Sequence, residues 1–219
     1  MVITDIQKTK QGRYALFVDG TFLFSVHADT YTLSDLAAGR EMDVRRLEEL
    51  RQADALYSCK DKAMSLLGYA SHSRGMLVEK LCRIYEPDVV QATADRMEEL
   101  GLLDDLDYGT RLASDLIHLR GWSLRRVEQE LYRKKLDPQT VAQVMEALRE
   151  RDEEGDLPRV MKLLRGRYRG KLQDAKGVNN TIAALLRQGF LLSDVKAALG
   201  ILLEEEDEAG SFDHGEEEP

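Results

Sequence analysis

The sequence predicts a mainly α-helical protein, with three tandem three-helix repeat modules in an elongated array preceded by a small N-terminal β-rich element. Aligning Leu81 with Leu131 and Leu185 brings Val90, Val141 and Val195 into register, and then Met97, Leu148 and Leu202. The offsets, 50 and 54 residues, tile the chain from about residue 54 to 204. The first thirty residues differ, being rich in β-branched and aromatic side chains. A helical unit this short cannot bury an adequate core alone, so successive units lean on one another and build extended surfaces of the kind that bind partners.

Taken in order, Val2-Ile3-Thr4, residues 14–18 and residues 21–26 read as three strands of a small sheet, with Asp19-Gly20 supplying the left-handed conformations of a tight hairpin. Residues 32–37 read as a short helix stopped at Gly39, and Val44, Leu47 and Leu50 as the apolar stripe of another. In the first repeat Ala63, Leu66, Leu67 and Ala70 mark helix one. Ser73 caps helix two, which carries Leu77 and Leu81, and Pro87 opens helix three. In the second, Ser123 is the N-cap between Trp122 and Val127, the two positions of a hydrophobic staple, and Asp137-Pro138 repeats the device with Leu136 and Val141. In the third, Val160, Leu163 and Leu164 lie on helix one, and a longer loop reaches Asn179-Asn180 before Ile182, Leu185 and Leu186. The expected divisions are 1–53, 54–107, 108–155, 156–204 and an acidic disordered tail at 205–219.

The net charge of −9 hides a segregation. Residues 204–219 hold nine acidic side chains and no Lys or Arg, leaving a body with 31 of each sign. Within that body residues 159–176 carry seven Lys/Arg and one Asp, whereas residues 1–107 carry 13 basic and 19 acidic groups. Cys59 and Cys82 sit in helical patterns without metal-ligand spacing and read as reduced thiols of a cytoplasmic protein. No signal-peptide pattern opens the chain, and eighteen apolar residues never occur together, which argues against membrane association.

An enzyme should show convergent nucleophiles, acids or ligands. His27, His72, His118 and His214 are scattered, none in an HExxH arrangement, and the glycines of LRGRYRGK lack the spacing of a phosphate-binding loop. No catalytic residues, metal site or cofactor are expected. Asp104, Asp105 and Asp107 read as carboxylates favoured by the positive end of a helix rather than as ligands of a cation. Trp122 reads as a packing residue rather than a base-stacking one.

The candidate partner-binding residues are Arg120, Arg125, Arg126, Arg133, Lys134 and Lys135 in the second module, then Arg165, Arg167, Arg169 and Lys171 in the third. Tyr132 and Tyr168 interleave with them, a mixture suited to both protein and nucleic-acid contacts. Arg133, Lys134 and Lys135 also end a helix, where the dipole alone favours cations.

The segments KAMSLLGYASHSRGMLVEKL, MEELGLLDDLDYGTRLA, RGWSLRRVEQELYRKKLDP and LLRQGFLLSDVKAAL, in that order, resemble the RecX family of bacterial regulators of the RecA recombinase. The junction Leu102, Leu103, Asp104, Asp105 and the β-rich start resemble the family too. Lys135 stands where members commonly carry Gly before helix three, a glycine that Gly189 keeps in the third repeat, and the acidic tail is not a general family feature. The resemblance implies a monomeric, non-catalytic protein that lies in the groove of the RecA filament and modulates its ATPase, assembly and strand exchange in homologous recombination, DNA repair and the SOS response. Single- or double-stranded DNA is a further expected partner. Two rival readings are a helix-turn-helix module acting directly on DNA, which needs a recognition helix rich in base-reading side chains, and a structural scaffold, which needs no segregation of charge.

Overall fold

The computed structural model describes residues 1–151 and 155–211. The chain divides into two compact units, Met1–Asp104 and Asp105–Pro219. Unit one opens with an antiparallel sheet of β1 (Ile3–Lys8), β2 (Tyr14–Val18) and β3 (Thr21–Val26) in the order β1-β2-β3. Val18 pairs with Thr21, and Asp19 and Gly20 between them have φ of 48° and 78°, so both loop residues are left-handed, as a two-residue hairpin requires.

The short helix after the sheet is α1 (Ala28–Leu33), earlier than the expected residues 32–37. The Asp54 carboxylate accepts from the His27 backbone N–H and lies 3.4 Å from the buried Thr30 hydroxyl, which ties the helix start to the long helix that follows. Left-handed Asp35 (φ 49°) follows the helix end, and Leu36 drops into the core under the sheet with Ile3, Leu16, Val26 and Leu50.

Helix α2 (Val44–Tyr69) is capped by Asp43, whose carboxylate accepts from the Arg46 N–H at 2.7 Å. It runs through the expected boundary between residues 53 and 54, because no Gly or Pro interrupts the sequence before Gly68. The helix serves two cores: Leu50 packs under the sheet, whereas Cys59 and Ala63 pack with α3 (Arg74–Leu81) and α4 (Pro87–Glu99). Val44, expected on its apolar stripe, is exposed. At the changeover Arg13 bridges Asp54 (2.7 Å) and Ser58 (2.9 Å), and the Tyr85 hydroxyl donates to the Ser58 carbonyl.

Unit two holds two three-helix groups. The first is α5 (Asp105–His118), α6 (Leu124–Arg133) and α7 (Pro138–Arg151). The second is α8 (Asp156–Arg165), a 3₁₀ turn at Arg169–Lys171, α9 (Ala175–Arg187) and α10 (Leu192–Ser211). Each group has its own core. The repeat register maps onto equivalent burial: Leu81, Leu131 and Leu185 are completely buried, as are Val90, Val141 and Val195.

Helix α9 starts earlier than expected, so Asn179 and Asn180 lie inside it rather than in a loop. The Asp174 carboxylate accepts from the Gly177 N–H at 2.6 Å, and burial of Thr181 and Leu185 on one face outweighs the weak helix propensity of Asn. Helix α10 continues to Ser211, past the expected boundary at Glu204. With the helix already nucleated and Leu202 anchored in the core, Glu and Ala extend it at little cost. Residues 212–219, the rest of the expected disordered tail, lie outside the described residues.

Candidate partner-binding surface

Within unit two, α6 positions the first basic group. The Ser123 hydroxyl accepts from the Arg126 N–H at 3.3 Å, and Trp122 and Val127 both pack on the α5–α7 core, completing the staple. With Val127 and Leu131 turned inward, Arg125 projects into solvent. The Arg126 guanidinium lies 4.0 Å from the centre of the Trp122 ring, and that of exposed Arg120 lies 5.8 Å from it. Trp122 is therefore a half-buried packing residue that also gathers two cations on its face.

The second group, Arg133, Lys134 and Lys135, ends the same helix, and its charge is partly spent. Arg133 makes a two-pronged contact with Glu130 (Nε–Oε2 2.7 Å), and that hydrogen bond, ahead of the cost of burial, holds the Glu130 carboxyl below its usual range. Lys134 is half-buried, and Lys135 is exposed in the left-handed region with φ 59°.

The third group flanks the 3₁₀ turn. Arg165 forms an ion pair with Glu205 of α10, forty residues away. Arg167 and Lys171 both approach the Tyr168 ring, at 5.7 and 5.6 Å, and Arg169 is exposed. Tyr168 corrects the sequence-based expectation. It is 5% exposed and packs with Val160, Leu164 and Leu185, so it supports the cations from beneath and is not itself a contact residue. Tyr132 is half-exposed and remains available.

The two groups of helices in unit two touch where the α9–α10 turn meets the α6 N-terminus. The Ser123 N–H donates to the Gln188 carbonyl at 3.1 Å. Gly189, with φ 93°, sits so close that a Cβ there would lie 2.5 Å from the Ser123 Oγ and 2.6 Å from the Arg126 Cβ. Unit two also holds a cavity of about 460 Å³, lined by the apolar side chains of Ile117, Leu148 and Leu163, the hydroxyls of Thr110 and Ser114, the imidazole of His118, and the cations of Arg159, Lys162 and Arg167.

A sequence model of the RecX second three-helix domain matches residues 104–145, which hold α5, α6 and part of α7. Regulatory protein RecX of Clostridioides difficile (strain 630) is 25% identical over 206 residues, 92% of this chain and 96% of that protein. Over most of its length the chain is similar to RecX regulatory proteins. A second relative, regulatory protein RecX of Lacticaseibacillus paracasei, is 26% identical over 148 residues, covering 67% of this chain and 62% of that one. A crystal structure of regulatory protein RecX shares the fold with a TM-score of 0.63 at 20% identity, covering 90% of this chain and 98% of the other.

Among these RecX features, the junction expected at Leu102 to Asp105 is a helix-to-helix turn. Leu103 is buried in the core of α2–α4, Leu102 is half-exposed, and Asp105 and Asp107 lie in the first turn of α5, where the helix dipole favours carboxylates. The cavity was not among the sequence-based expectations. A signal for it exists: Thr110, Ser114 and Ile117 recur at helical spacing on one face of α5, and Gly121 follows in the turn after it. Among the described residues no helix is long and apolar enough to cross a membrane, and no group of His, Cys, Asp and Glu is placed to hold a metal ion.

Proposed function

We propose that this chain belongs to the RecX family and is a non-catalytic regulator of the RecA recombinase, which it inhibits by binding the RecA–DNA filament through the basic surface of unit two. The observation that carries the reading is the match over 92% of the chain to a protein named as a regulatory RecX. The surface is suited to the task. Arg120, Arg125, Arg167, Arg169 and Lys171 are exposed on a scaffold of capped helices, and aromatic rings beneath four of the unit's cations hold them ordered before binding. Many moderate contacts from linked modules add up, since each later engagement is effectively intramolecular.

The rival reading, direct sequence recognition by a helix-turn-helix, needs a recognition helix rich in base-reading side chains and in cations that draw it to the phosphates. Helix α7 exposes Gln139, Gln143 and Arg149, which can read bases, but also Glu146 and Glu150, which repel the phosphates, so it carries no dense basic stripe.

Sub-stoichiometric protein added to RecA on single-stranded DNA is expected to lower ATP hydrolysis and shorten the filaments seen by electron microscopy. Changing Arg165, Arg167 and Arg169 together to Glu is expected to weaken filament co-sedimentation by about tenfold or more while leaving helical circular dichroism intact, because exposed charges act mainly on association. Unchanged hydrolysis and filament length at equimolar protein would remove RecA from the reading and leave direct DNA binding in its place.

A further inference from the structure

The lining of the cavity among α5, α7 and α8 divides by burial into a floor and a rim. Ile117 of α5, Leu148 of α7 and Leu163 of α8 are half-buried and form an aliphatic floor. Leu163 reaches to 3.1 Å from where a Cβ on Gly121 would stand, so α8 meets the turn that ends α5. The rim is cationic. Lys162 and Arg167 are exposed, and neither has an ion-pair partner among the described residues. The exposed His118 imidazole stands with them. Arg159 also lines the cavity, but its bond to Asp156 at 3.1 Å offsets its charge. The half-buried Ser114 hydroxyl makes no hydrogen bond among the described residues, which leaves a free donor in the wall.

Cations without counter-charge beside an aliphatic floor define the chemistry of a ligand: an apolar body ending in an acid group. Among the described residues no carboxylate lines the cavity to repel that group. The volume, about 460 Å³, suits a small molecule. Along α5 the lining runs from Thr110 to His118, eight residues or roughly 12 Å of helix, so the body is elongated. A nucleic-acid base fits less well, because no Phe, Tyr or Trp lines the cavity for it to stack on. A bare inorganic anion would leave the aliphatic floor in water, and a bare hydrocarbon would leave the cations unused.

We propose that this cavity is a binding site for a small aliphatic anion, its chain laid on Ile117, Leu148 and Leu163 and its carboxylate or phosphate head held by Lys162, Arg167 and the Ser114 hydroxyl. The floor supplies affinity through apolar burial, and the rim supplies selectivity for negative charge through charge-assisted hydrogen bonds.

The test uses neither RecA nor DNA, so its outcome is independent of the filament reading. Decanoate and decyl phosphate are titrated into the full chain by isothermal titration calorimetry, below the concentrations at which they form micelles. Saturable binding of one ligand per chain is expected, and the tighter of the two identifies the head group. Butyrate keeps the charge and loses the long body; decanol and decyltrimethylammonium keep the body and lose or invert the charge. Each should bind at least tenfold more weakly. Lys162→Glu combined with Arg167→Glu should weaken decanoate or decyl phosphate about tenfold or more, with helical circular dichroism unchanged because both side chains are exposed. Ser114→Leu, which removes the donor and fills the wall, should weaken binding by a similar factor. If that variant folds poorly, the ligand series still decides, since it leaves the protein unaltered. Absence of saturable binding by both anions, several ligands per chain, equal binding of decyltrimethylammonium, or indifference to Lys162 and Arg167 would overturn the site.

Discussion

The turns before the last helix of the second and third repeats share a backbone conformation and differ in what surrounds it. Lys135 has φ 59° and Gly189 has φ 93°, at equivalent positions four residues after Leu131 and Leu185. Lys135 is exposed, so its Cβ meets only the local cost of the left-handed region, about 1–2 kcal/mol for a non-glycine residue. Gly189 faces the backbone and Cβ of another helix group, where no side chain fits. The turn geometry thus survives loss of the glycine where the surface is open, and the glycine itself is demanded only where two helix groups meet.

The strongest way to break this comparison is Gly189→Ala. It adds the left-handed penalty and a Cβ within 2.6 Å of Ser123 Oγ and Arg126 Cβ, so destabilisation of about 3 kcal/mol is expected in urea unfolding followed by circular dichroism. Faster hydrogen exchange at the Ser123 amide, now held by the Gln188 carbonyl, should accompany it. A loss below about 0.5 kcal/mol would show that the contact is not close-packed.

Next in size, Ser123→Ala should cost about 1 kcal/mol, the usual worth of an N-cap. Combined with Gly189→Ala it should cost less than the sum of the two, because removing the Oγ relieves part of the clash, and a double-mutant cycle reads that coupling directly. Strict additivity would mean that the two residues do not press on one another.

Lys135→Gly should do the opposite of Gly189→Ala and raise stability, by about 0.5–1 kcal/mol after the greater flexibility of Gly in the unfolded chain is deducted. A fall in stability would show that the Lys135 side chain contributes more than its backbone strain removes.

The smallest effect concerns the cap of α7. The Asp137 carboxyl is held below its usual range first by the Thr140 hydroxyl and then by the Thr140 and Gln139 N–H groups at 3.0 and 2.9 Å. A depressed folded-state value means that this stabilisation is present above the unfolded carboxyl range, near pH 3.9, and is lost as pH falls through the folded value. Asp137→Asn should therefore flatten the acid limb of the stability curve below about pH 4 while changing neutral stability little. An unchanged acid limb would remove Asp137 from that role.

Much of the fold was legible because it rests on neighbours in sequence. Ser73, Ser123 and Asp137 cap the helices that follow them, and each bond closes within three residues. Leu136 and Val141 staple the start of α7, and the left-handed Asp19-Gly20 turn fixes the hairpin. The start of α1 was not legible, since it depends on Asp54 reaching His27 and Thr30 from another helix. The basic residues were legible as a group, but their condition was not. Arg165 is tied to Glu205, and Tyr168 is buried beneath Arg167 and Lys171 instead of exposed beside them.

By itself the sequence determined the repeat, the helix caps and the segregation of charge, because these follow from periodicity and from contacts spanning one turn of chain. Only the tertiary structure decided which cations stand free, where Gly189 is indispensable, and that a cavity opens between α5, α7 and α8. Those features depend on side chains far apart in sequence meeting at van der Waals distance, and close packing leaves a periodic pattern no means of recording which partners meet.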